Sequence, residues 1–190
     1  MATSRTDIAN RSLDAVGADA IGSINDTSKA ARLCARLFTP LTQSLLRRHP
    51  WNFALARASL PASATAPAWG YAFQYPVPTD YLKIYTIEAV DPTTKFVVEG
   101  GAILTDVGAP LNIRYVRKVE DPGEFDPLFT EALILAIARD LAIPLSNNAG
   151  LRQSLGKDLE DAIRTARSAD AGEGVPDELW SDTLLNARVW

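Results

Sequence analysis

Residues 126–144 read DPLFTEALILAIARDLAIP, and this stretch decides the fold. Asp126 is a helix cap and Pro127 suits the first helical position, because proline has no N–H to leave unpaired and its φ is already helical. From 128 to 143 the run is apolar almost all round, interrupted only by Thr130, Glu131, Arg139 and Asp140. A helix without a polar face has to be covered on most sides, so it predicts the centre of a helical body, with Pro144 as its end.

Working outward, the covering helices are legible from their period. Asn147 or Asn148 caps a last long helix running to about residue 171, with a narrow stripe of Leu151, Leu155, Leu159, Ala162 and Ala166. Its other faces are charged, which places it on the outside. Upstream, Ala30, Cys34, Leu37, Phe38, Leu41 and Leu45 repeat at spacings of three and four across residues 28–48. Asp26 or Thr27 is the expected cap, and Pro40 is expected to kink or break this helix. Ala9, Leu13 and Val16 mark a shorter helix over residues 5–16, stopped by Gly17.

Between residues 51 and 119 the period changes to about two. Trp69, Tyr71, Phe73 and Tyr75 alternate with small or polar residues, as in a half-buried strand. Residues 81–90, 96–99, 102–105 and 112–119 are further strand candidates. Asp91-Pro92, Gly100-Gly101 and Gly108-Ala109-Pro110 separate them as turns, and residues 61–67 (PASATAP) read as a loop. The expected class is α+β, mainly α: a helical bundle with a small antiparallel sheet domain inserted between the second and third long helices. The body takes residues 1–50 and 124–171, the inserted domain 51–123, and an arm 172–190.

Composition excludes several functions. The chain has 190 residues, a formal charge of −4, one cysteine and one histidine. One cysteine allows no internal disulfide, and Cys34 and His49 alone cannot complete a Cys/His zinc site. His49, before Pro50 at a helix end, suits capping or packing. No G-x-S-x-G elbow supports a serine triad, and Gly100-Gly101 lacks the spacing of a phosphate loop. No apolar leader opens the sequence, and no run of apolar residues is long enough to span a bilayer. The sequence therefore predicts no enzyme, no cofactor, no metal and no membrane partner.

Two features point to assembly instead. No acidic residue occurs from 27 to 79, while Lys29, Arg32, Arg36, Arg47, Arg48 and Arg57 are basic. Lys29, Arg32, Arg36 and Arg47 share one helix face, a candidate inter-subunit surface that would meet acidic groups on another copy. The C-terminal segment has the opposite sign, with Asp170, Glu173, Asp177, Glu178 and Asp182 and no base among residues 170–182. It ends in apolar anchors, Trp180, Leu184, Leu185, Val189 and Trp190, suited to docking in a partner's groove.

The run His49-Pro50-Trp51-Asn52-Phe53-Ala54, following an Arg-rich helix, resembles the tail tubular protein A family, the head-to-tail adaptors of short-tailed phages. The resemblance continues through residues 71–82 (YAFQYPVPTDYL), at Tyr115-Val116 and through residues 125–133 (FDPLFTEAL). It implies a ring of twelve subunits in the virion, assembled in the host cytoplasm. Such a ring joins the portal protein to the tail nozzle protein and lets genomic DNA pass without sequence-specific binding. It also implies an arm that reaches the portal, helices in the ring wall and a sheet facing the tail. Two alternatives stay open: a cell-wall-degrading tail accessory using Glu88, Glu99 or Glu131, and a DNA-binding packaging module using the basic face.

Overall fold

The computed structural model describes residues 4–88 and 94–173. Four helices form the body: α1 (Arg5–Asp14), α2 (Lys29–Arg48), α3 (Pro127–Ser146) and α4 (Ala149–Gly172). Helix α3 packs against α1, α2 and α4, as its apolar circumference demands. Phe129, Leu133, Ile137 and Leu141 are fully buried there, with Ile8 and Leu13 of α1, Leu46 of α2 and Leu159 of α4 in the same core.

The caps follow side-chain chemistry. Ser4 and Asp7 form a reciprocal capping box on α1. Asp126 Oδ1 accepts from the amides of Leu128 and Phe129 at 2.8 and 3.1 Å, as the Asp-Pro start predicts. Asn148 caps α4, accepting from Leu151 N at 2.9 Å. Its neighbour Asn147 closes α3 in the left-handed region, with φ 47°. The cap of α2 is Ser28, not Asp26 or Thr27.

Neither internal proline breaks its helix. Pro40 is exposed within α2, where the carbonyl it deprives of a partner can turn to water, while Phe38, Thr42 and Leu45 stay buried on the opposite side. Pro144 does not end α3. It sits in the last turn, where Asn147 N still donates to Ile143 O and Ser146 Oγ to Ala142 O.

Between α2 and α3 in chain order come six strands, in two sheets where one was expected. The first has the order β1-β6-β3: β1 (Leu55–Leu60), β6 (Leu111–Arg117) and β3 (Tyr81–Ile87). The second has the order β2-β5-β4: β2 (Phe73–Pro76), β5 (Ala102–Thr105) and β4 (Phe96–Glu99). All pairings are antiparallel. The two sheets share a core of Leu60, Tyr75, Ile84, Ile103, Leu111, Ile113 and Tyr115. Leu82 and Val116 belong instead to the helical core, so the first sheet is where strands meet helices. Arg47 of α2 reinforces that junction, donating to Leu82 O at 2.5 Å.

The strand expected over residues 69–75 is shorter than its alternation suggests. Only Phe73 to Pro76 pair, because Gly70 turns at φ 91° and Asp106 Oδ1 captures the amide of Ala72 at 2.9 Å. Trp69 is left 86% exposed. Strand β1 was not foreseen, because its inward positions include the small Ala56 and Ala58, which give little hydrophobic contrast. Gly100 and Gly101, at φ 57° and 78°, make the two-residue turn joining β4 to β5.

Candidate interaction surfaces

Helical periodicity places Lys29, Arg32, Arg36 and Arg47 on one stripe of α2, opposite Ala31, Cys34, Phe38 and Leu45. The stripe divides by what its members touch. Lys29 Nζ donates to Pro144 O at 2.8 Å, and Arg47 is committed to Leu82 O. These two cations pin α2 to α3 and β3. Arg32 and Arg36 are exposed, one turn apart, and have no ion pair or side-chain hydrogen bond among the described residues. They are the part of the stripe available to an acidic partner.

The anchors Trp180, Leu184, Leu185, Val189 and Trp190 lie outside the described residues. The helix that leads to them is held at its end by the His49–Ala54 run. Asp170, near the end of α4, accepts from His49 Nε2 at 2.9 Å and from the Asn52 amide at 2.9 Å. The Asn52 side-chain amide donates to the Asp170 carbonyl at 2.7 Å. Trp51 is buried, with Nε1 donating to Leu45 O at 3.0 Å and its ring meeting Phe129 edge-on at 5.3 Å. Phe53 stacks edge-on against Phe129 at 5.0 Å. The run is a clasp: its polar members hold α4 and its aromatics grip α3. His49 caps and packs, as its place at a helix end predicts.

Two further surfaces were missed. On the open face of the first sheet, Arg57 stands directly opposite Arg114 across β1 and β6. Like charges in that position repel, and only Arg114 has a partner among the described residues, the Tyr85 ring at 5.1 Å. A groove of about 460 Å³ runs past both arginines, Ser59, Thr86, Asn112 and the carboxylate of Glu88. The second surface is β4. All four of its residues are exposed, and β5 is its only strand neighbour among the described residues. Phe96, Val97 and Val98 remain 38%, 40% and 37% exposed.

The residues considered for chemistry do not converge. Burial pushes the Cys34 thiol up to about 11, away from nucleophile and ligand alike. Glu131 pairs with Arg11 at 2.5 Å, Glu88 accepts from Asn112 at 3.1 Å, and Glu99 stands on β4, each on a different part of the fold. Among the described residues, no group of three or more His, Cys, Asp or Glu is placed to hold a metal ion. No helix there is long and apolar enough to cross a membrane. No known family and no curated protein matches the sequence.

Proposed function

We propose that the chain is a structural head-to-tail adaptor of a short-tailed phage. Twelve copies form a ring that joins portal to tail nozzle, and DNA passes through it. The observation that carries this is the His49–Ala54 run. It resembles the adaptor family in sequence, and it fastens α4 three residues before the last described position, Glu173. An arm leaving a fixed point can reach a partner without disturbing the core. In this reading the helices make the ring wall, the strands form an inserted domain facing the tail, and Arg32 and Arg36 meet an acidic surface on the next copy. The net negative charge also suits a channel that DNA must traverse, since phosphate-neutralising contacts are what hold DNA.

Mixing the purified chain with portal particles and imaging by electron microscopy tests the proposal. The expected result is a twelve-fold layer beneath the portal, and a bare portal would sink it. The Arg57–Arg114 groove favours one second reading, a DNA-binding packaging module. That reading requires a salt-dependent gel shift that weakens in Arg57→Ala and Arg114→Ala.

A further inference from the structure

Among the described residues, strand β4 has no partner along its outer hydrogen-bonding edge, and its register is fixed by its own hairpin. A two-residue turn at Gly100-Gly101 makes Glu99 and Ala102 the hydrogen-bonded pair that closes the hairpin. Antiparallel pairs alternate between bonded and non-bonded, so Val97 also bonds to β5. The backbone groups of Phe96 and Val98 therefore point to the open edge. Such an edge, apolar and without proline, is a template for another strand.

We propose that this edge takes β4 of a second copy of the chain, antiparallel, about a two-fold axis at Val97. The charges choose the partner. The strand is flanked by Lys95 on one side and ends in Glu99 on the other. Two β4 strands can bond only where outward groups meet outward groups, so 96 must face 96, 96 must face 98, or 98 must face 98. Of these, only the 96-to-98 register uses all four outward residues. That same register sets Lys95 opposite Glu99 twice, once on each side of the axis, and Val97 opposite Val97. Phe96 faces Val98 on the other surface, where the exposed apolar area of both copies is covered. The result is one six-stranded sheet across two copies. This contact is isologous and closes at two, so it is distinct from a head-to-tail ring contact and does not rest on the adaptor proposal.

Sedimentation of the full chain alone, over a wide concentration range, tests it. The wild type is expected to dimerise. Lys95→Glu and Glu99→Lys each replace two attractive pairs with two repulsive ones and are expected to weaken the dimer roughly tenfold or more. The double variant, Lys95→Glu with Glu99→Lys, restores both pairs in reversed order and is expected to recover the wild-type affinity. Circular dichroism checks that each variant folds, which substitutions at exposed positions should permit. A wild type that stays monomeric overturns the proposal. So does any assembly, dimer or larger, that is indifferent to the single reversals, or a double variant that fails to recover. Portal binding is measured separately, so loss of one contact does not read as loss of the other.

Discussion

Asp170 shows how one side chain can hold an element in place. Its carboxylate serves the His49 ring and the Asn52 amide together, and its side chain is only 11% exposed. Replacing it with alanine leaves both donors without their acceptor. Asp170→Ala is expected to cost about 2 kcal/mol in urea unfolding, the scale of a lost hydrogen bond to a charged group. Amide exchange should quicken first in the last turns of α4, and an unchanged exchange pattern there would refute the clasp. Cys34 makes the opposite point, since its conservative burial leaves it inert. With its thiol pushed up to about 11, native-state labelling at pH 8 is expected to run about a hundredfold or more slower than in denaturant. The sign of its pH effect follows. The folded state holds the thiol proton more tightly than the unfolded state, whose ordinary value is 9.0. Its contribution is intact below pH 9.0 and is lost as the pH rises toward 11, so Cys34→Ala should flatten that part of the alkaline stability profile.

At the scale of elements, the two prolines separate what sequence discloses from what it does not. Pro40 and Pro144 read as breaks, because a proline removes a helical bond and crowds the preceding turn. In α2 the flanking residues Phe38, Thr42 and Leu45 are buried against one core, so packing outweighs the local penalty and the helix continues. Pro40→Ala restores the missing bond at an exposed position while loosening the unfolded chain, so a net gain of about 2 kcal/mol in denaturant unfolding is expected. A loss would mean that Pro40 sets a bend the core requires. The helices were legible because their apolar positions recur at three and four over many residues. The strands were half legible. Residues 96–99 and 102–105 were correct to the residue because glycines punctuate them, whereas β1 hid behind Ala56 and Ala58. The division into two sheets was not legible, because β1 and β6 pair across the fifty residues of chain between them, 61–110.

At the scale of the whole molecule, the same distinction governs function. The basic stripe of α2 was readable as a face, since a helix turns its residues into one. Which members were already occupied was not, because Pro144 and Leu82 lie far away in sequence. The link between His49 and Asp170, 121 residues apart, was equally hidden, and so was the pairing of β4, whose only strand neighbour among the described residues is β5. The acidic, tryptophan-bearing arm was legible only as composition, and its role is decided by removing it. The described members of the helical core run from Ile8 to Ala166, and the clasp closes on Asp170. Deleting residues 175–190 therefore removes no member of the described core and no described partner of the clasp. The truncated chain is expected to keep its circular dichroism spectrum and to unfold within about 0.5 kcal/mol of the full chain, as a change that removes no described packing should. On the proposed adaptor function it is also expected to lose attachment to the portal, because Trp180 and Trp190 would be the large aromatic anchors it surrenders, each contributing about 2 to 3 kcal/mol when buried in a partner. The two readouts discriminate sharply. Lost attachment with an intact fold assigns the arm to the partner, whereas a large fall in stability assigns the tryptophans to the chain's own core. Full attachment after truncation would move the portal contact onto the helical wall, with Arg32 and Arg36 the next residues to reverse in charge.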